Sequence, residues 1–190
     1  MTTASTFAQP QRTRYDGVSQ TLHWLTALLV LAALVLAWVG EALPRTSDWK
    51  GYVFMVHKSL GVTILAATLF RLVWRGLNPP PPAPWSFEPW EVWAGKITHA
   101  LLYLMLLVMP VSGYVLSAAK GRTVDYFNLV SLPALAENKP LADAATSVHL
   151  AAQFAVYILI VAHLCGVVWH VVARRDGTLG RMLPPQTDAD

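Results

Sequence analysis

Long apolar runs separated by short polar stretches dominate the chain. Four of them, over residues 20–39, 52–74, 97–118 and 148–172, carry almost no charge in their cores. Each has about the 20 residues a helix needs to cross a hydrocarbon layer about 30 Å thick. A buried soluble bundle would need helices with polar stripes, and these runs have none. The pattern predicts an all-α fold, an integral membrane four-transmembrane-helix up-down bundle. Trp24, Trp38, Tyr52, Trp74 and Trp169 fall near the run ends, where an interfacial aromatic belt would place them.

The connections are equally legible. "EALPRTSDWKG" reads as a short turn between the first two helices. "GLNPPPPAPWSFEPWEVWAG" reads as an extended proline-rich passage with Trp85, Trp90 and Trp93 at headgroup level. "KGRTVDYFNLVSLPALAENKPLADAAT" is the longest connection and is expected to lie along the surface. The division is a tail over 1–19, a membrane domain over 20–175 and a second tail over 176–190. Residues 1–19 lack a signal peptide's apolar run and cleavage site, so the first helix is expected to stay in the mature protein.

Composition sharpens this picture. Of 190 residues 55% are hydrophobic and 13% charged, against about 25% charged in an average soluble domain. A net charge of +3, dispersed along the chain, gives no nucleic-acid footprint. Four spans put both termini on one side. With that side inside, eight Lys and Arg residues (Arg12, Arg14, Arg71, Arg75, Lys96, Arg174, Arg175, Arg181) face inward and six (Arg45, Lys50, Lys58, Lys120, Arg122, Lys139) outward. The excess favours cytoplasmic termini. The cores hold no Asp or Glu, which argues against a transporter or channel with an ionic relay.

All six histidines lie in or beside the apolar runs: His23, His57, His99, His149, His163 and His170. An ionisable group at membrane depth is costly and marks a functional site by default. His149 and His163 are fourteen residues apart, which returns them to nearly the same helix face about 21 Å apart along the axis. No single metal ion can use both. Two centres, one per leaflet, can. Alternating helix direction pairs His23 with His163 on the inner side and His57 with His149 on the outer side. Two stacked pairs of imidazoles suit two haem irons, and doubly histidine-ligated iron favours electron transfer over oxygen activation. The lone cysteine, Cys165, excludes covalent attachment through Cys-x-x-Cys-His, so both haems are expected to be non-covalent, b-type groups.

Several residues are candidates around those ligands. Ala27, Gly61, Ala152 and Gly166 fall one turn from a paired histidine, where a flat macrocycle needs room. His170 shares His163's face and competes with it for the inner iron, but would spread the two centres about 31 Å apart. His99 and His170 are therefore read as propionate or quinone contacts. Arg71 and Arg75 sit one turn apart at the inner end of the second run, as snorkelling anchors do, and Arg71 also suits a haem propionate. Lys58 follows His57 and puts a cation beside the outer pair.

The motifs "SQTLHWLTALLVLAAL", "VHKSLGVTILAATLFRLVWR", "ITHALLYLMLLVMPVSGY" and "AHLCGVVWHVVARRDGTLGRMLP" occur here in the order they take in bacterial cytochrome b561 proteins. The chain resembles that family over nearly its whole length; only the 119–145 region matches no motif. The resemblance implies axial ligands at His23, His57, His149 and His163. It also implies respiratory electron transfer, ubiquinone as a partner, a homodimer and a bacterial inner-membrane location. One family member's activity is superoxide:ubiquinone oxidoreduction, while similar cytochromes anchor a hydrogenase or dehydrogenase. The short chain, with no soluble partner-binding domain, favours the self-contained form.

Overall fold

The computed structural model describes residues 13–184. Four helices, α1 (Gly17–Ala42), α2 (Asp48–Leu77), α3 (Pro89–Ala118) and α4 (Lys139–Val168), follow the four apolar runs. All four are long and apolar enough to cross a membrane, with only 6% to 17% of each apolar window buried inside the protein. Much of each helix surface is therefore turned to lipid or to space inside the bundle, and the chain is a multi-pass membrane protein in contact with the bilayer.

Every helix outruns its apolar core, and polar residues cap the starts of α1, α3 and α4. Asp16 caps α1 by accepting from Ser19 N at 3.0 Å and also accepts from Trp74 Nε1 at 3.0 Å. Burial pushes the Asp16 carboxyl pKa up, but the hydrogen bonds from Ser19 and Trp74 outweigh it and hold the group below its ordinary value. At α3, Pro89 occupies the first turn and Glu91 Oε2 accepts from Glu88 N at 2.8 Å, so the helix starts at the end of the proline-rich passage. Trp90 and Trp93 thus stand on α3, and only Trp85 remains in the extended passage. Asn138 caps α4, accepting from Leu141 N at 3.0 Å. That start is nine residues before the apolar run and shortens the last connection.

The 119–145 stretch departs most from the sequence-based expectation. A small antiparallel hairpin, β1 (Val124–Tyr126) with β2 (Val130–Leu132), packs on α2. Its turn puts Phe127 and Asn128 at positive φ, 48° and 57°, a conformation that suits Asn and strains Phe. The fully buried Ser59 holds the strained turn: its Oγ accepts from Phe127 N at 2.9 Å and lies 3.2 Å from Asp125 O.

In the bundle α1 packs on α2, α2 on α3 and α3 on α4, while α1 and α4 make no comparable backbone approach. The residues buried between helices are mostly small or hydroxylic, such as Ala33, Ser59, Thr68, Ser112 and Ala152. Space is thus left inside the bundle.

At the end of the bundle that carries both termini, called inner after the expected topology, side chains lace the helices together. Three of the indoles expected in an aromatic belt bond to the protein there: Trp24 Nε1 to Met182 O at 2.8 Å, Trp74 to Asp16, and Trp169 Nε1 to Glu91 Oε1 at 2.8 Å. Glu91 also pairs with Arg174 at 3.2 Å, joining the start of α3 to the π-helical end of α4 (Trp169–Arg174). A buried carboxylate whose removal strands a cation is costly to lose. Glu91→Leu is expected to lower the detergent-solubilised protein's melting temperature by several degrees, and Glu91→Gln by less because it keeps an acceptor for Trp169. Thermal unfolding followed by tryptophan fluorescence checks the ranking.

Candidate functional site

The outer half of the bundle encloses a cavity of about 520 Å³ lined by residues from all four helices. His57 of α2 and His149 of α4 both line it, as does Gly61, one turn beyond His57. Each histidine is fixed from behind. His57 Nδ1 donates to Ala33 O of α1 at 2.8 Å, and His149 Nδ1 donates to Met109 O of α3 at 3.0 Å, with Ser112 Oγ 3.1 Å away. An imidazole that gives its Nδ1 proton to a carbonyl keeps an unprotonated Nε2, the tautomer a metal ligand needs.

Local sequence explains that support. Pro110 lacks the N–H that would bond Leu106 O, which loosens the ladder of α3 in the turn that carries Met109, and it sits in the cavity wall. Gly113, one turn on, clears the imidazole: a Cβ there would lie 3.1 Å from the His149 ring. The "MPVSGY" motif thus supplies a carbonyl, a proline, a hydroxyl and a gap to one histidine. Spacing alone singled out His149, but the Met109, Ser112 and Gly113 contacts needed the fold.

The inner half brings three imidazoles together. His23 of α1 and His163 of α4 have ring centres 6.2 Å apart at 65°. Metal–imidazole bonds of about 2 Å on either side of one ion would put two ring centres about 6 Å apart. His99 of α3 stands 5.3 Å from His163, its Nδ1 donating to Gly95 O at 2.6 Å. The sequence reading set His99 at the start of its helix, but α3 begins ten residues earlier and carries it into this cluster. His23 differs from the outer pair: Arg71 Nη2 donates to its Nδ1 at 3.2 Å. Arg71 and Arg75 both stack on Tyr103, 5.2 and 5.9 Å from the ring centre. No carboxylate among the described residues pairs with either arginine.

His170 lies elsewhere. It stacks on Phe87 with ring centres 4.5 Å apart and bonds Asp176 at 2.6 Å. Burial raises the Asp176 pKa, but bonds from Thr178 and His170 outweigh it and leave the group lowered. This geometry makes His170 part of the latch that ties residues 176–178 to the proline-rich passage. Of the four small residues flagged from the sequence, Gly61 lines the cavity and Ala152 is buried, whereas a Cβ at Gly166 would meet nothing within 4 Å. Lys58, Lys50 and Arg122 line the outer cavity with Glu41.

A roomy, largely apolar cavity between two tautomer-fixed imidazoles, beside a second imidazole cluster, suits a flat iron macrocycle. The family model for prokaryotic cytochrome b561 matches residues 14–185. This chain belongs to the prokaryotic cytochrome b561 family. It is 33% identical to cytochrome b561 homolog 2 of Escherichia coli K12 over 172 residues, covering 90% of this chain and 91% of that protein. The probable superoxide oxidase CybB of Yersinia pestis is 28% identical over 171 residues, 90% of this chain and 96% of that one. Cytochrome b561 homolog 1 of Escherichia coli K12 is 25% identical over 177 residues, with 90% and 97% coverage. Family membership carries b-type haem binding and membrane cytochrome b electron transfer.

Gly113 offers a direct check on the outer cavity. Gly113→Val is expected to push the His149 ring off Met109 and lower the haem-to-protein ratio, measured by pyridine haemochrome against protein mass. A variant with full haem content would show that the gap is not needed.

Proposed function

We propose that this cytochrome b561-family protein carries two b-type haems and passes electrons from an outer-face donor to the ubiquinone pool. His57 with His149 would hold the outer haem and His23 with His163 the inner one. The observation that carries this reading is the outer pair: two imidazoles from different helices, each with Nδ1 spent on a carbonyl, on the walls of one cavity. Bound haem supplies a one-electron iron couple. The chain's residues orient the two rings and exclude water with an apolar wall.

At the inner pair, Arg71 has a second part. Because it donates to His23 Nδ1, it must leave that nitrogen for His23 to present the ligand tautomer used by the outer pair. A haem propionate is the natural destination for a guanidinium without a carboxylate partner. We place the protein in the bacterial inner membrane with both termini cytoplasmic, on the excess of basic residues at that side. The domain is taken as 20–175 flanked by two cytoplasmic tails; residues 1–12 and 185–190, Arg12 among them, lie outside the described residues. A homodimer is the expected assembly. The anchor-subunit reading is the rival, and a tightly bound second polypeptide after mild detergent extraction would favour it.

The ligand assignment is tested by single substitutions. His57→Ala or His149→Ala should each remove one haem and leave roughly half the total. His23→Ala or His163→Ala should remove the other, with a different spectral component lost. His170→Ala should keep both, since that side chain is engaged with Asp176. Loss of the inner component from His170→Ala would overturn the inner pair.

The donor at the outer face is proposed to be superoxide, in keeping with the Yersinia relative's description as a probable superoxide oxidase. Lys58, Lys50 and Arg122 line the cavity with Glu41, and Asp125 acts on Lys58 from nearby, so three cations against two acids leave the approach with a local basic excess although the outer segments as a whole are near neutral. A basic mouth draws in a small anion, and added salt screens it. Superoxide should reduce the haems at a rate that falls as salt rises, and more slowly in Lys58→Gln/Arg122→Gln at unchanged haem content. Stopped-flow measurement showing indifference to both salt and substitution would remove the steering argument.

A further inference from the structure

A polar trio lies between α1 and α4, outside both histidine centres: Trp38, at the end of the first apolar run, meets Gln153 and Tyr157 inside the fourth. Trp38 Nε1 of α1 bonds the Tyr157 hydroxyl of α4 at 2.7 Å, and the Gln153 amide bonds the same hydroxyl. The three donate four N–H and O–H protons between them. Two of these are used inside the trio, whichever way the amide is turned. The other two have no protein acceptor among the described residues.

Place makes this surplus costly. Tyr157 stands eight residues past His149 and six before His163, near the middle of the fourth apolar run. Trp38 is 55% exposed and Phe154, beside Tyr157, is 66% exposed, so the trio opens to lipid rather than to the bundle interior. Hydrocarbon has no acceptor to offer, and an unsatisfied donor there costs several kcal/mol. Gln153 is also one helical turn inward of His149, on the side of α4 that faces α1. A molecule seated here would lie against the lipid side of the outer centre.

We infer that Trp38, Gln153 and Tyr157 form a docking site for a lipid-soluble carbonyl compound of the quinone class. This rests on the proposed electron transfer to the quinone pool. Such a ring supplies the missing ingredient, a carbonyl acceptor that dissolves in the bilayer. Its flat face fits the exposed Trp38 and Phe154 rings. Two donors converging on one phenol oxygen strengthen that hydroxyl as a donor in turn. A second copy of this chain is the poorer occupant, because its own trio brings the same excess of donors.

The test uses full-length, haem-loaded protein in nanodiscs of phosphatidylethanolamine and phosphatidylglycerol. An azido-ubiquinone photolabel is mapped by mass spectrometry, and decylubiquinone affinity is measured at equilibrium. Label on the α1 and α4 segments around Trp38 and Tyr157 is expected. Gln153→Leu, which leaves only the Tyr157 hydroxyl free to donate, should weaken decylubiquinone binding several-fold, and Tyr157→Phe/Gln153→Leu at least tenfold, with the haem spectrum unchanged. Wild-type affinity in both variants, or label confined to the Arg71–Tyr103 end, would overturn the site while leaving quinone as the acceptor. Disulfide-linked dimers of Gln153→Cys in a Cys165→Ser background, with quinone affinity unaltered, would overturn it in favour of a second copy. A wild-type protein that binds no quinone at all would instead remove the acceptor reading itself.

Discussion

A histidine carried into hydrocarbon must hand its N–H to something, and much of this structure follows from where those protons go. Water is absent, so the acceptor has to be a backbone carbonyl already committed to a helix. His57 finds Ala33 on the neighbouring helix, His149 finds Met109, and His99 uses its own helix at Gly95. Each bond does two things at once. It removes the cost of an unsatisfied donor, and it fixes which nitrogen is left to act. Under the proposed ligand assignment, satisfying the membrane and preparing a metal ligand are the same event.

That constraint explains why the bundle is built of small interhelical residues. For an imidazole on one helix to reach a carbonyl on the next, the backbones must come close at that level. Ala33, Ser59 and Ser112 permit this, and Gly113 gives the His149 ring its room. The same small residues leave a cavity where larger ones would have closed the core. A loosely filled interior of this kind would weaken a soluble domain. In lipid, which solvates the apolar exterior, it costs little and gives the cofactor its space.

The membrane helices were legible because length and hydropathy are one-dimensional signals, and the histidine pairs because helix geometry turns sequence spacing into depth. His23 and His163 do meet, and His57 and His149 do share a cavity. What the sequence concealed depends on contacts between distant segments. His99 was read as a propionate or quinone contact at the start of its helix; the helix starts earlier, at Pro89, and its contact with the His163 ring could not be seen from spacing. His170 shares a helical face with His163, yet the π-helical turn and Asp176 take it to the inner rim. The hairpin over 124–132 escaped notice because its anchor, Ser59, lies in another helix and carries no local signature.

The two centres also differ in a way that neither spacing nor motif could show. The outer histidines are bonded to neutral carbonyls, which do not move. The inner His23 is bonded to Arg71, a long, charged side chain that can swing away and that shares Tyr103 with Arg75. A ligand held by backbone is ready before its metal arrives, whereas one held by a guanidinium must exchange that partner first. A positive charge kept near an iron favours the electron-rich state, so Arg71 would raise the potential of the inner centre relative to one supported only by carbonyls. With Lys58 and Arg122 beside the outer cavity, both centres have cations close by. In the proposed two-haem arrangement, the balance between them would help to set which way an electron travels.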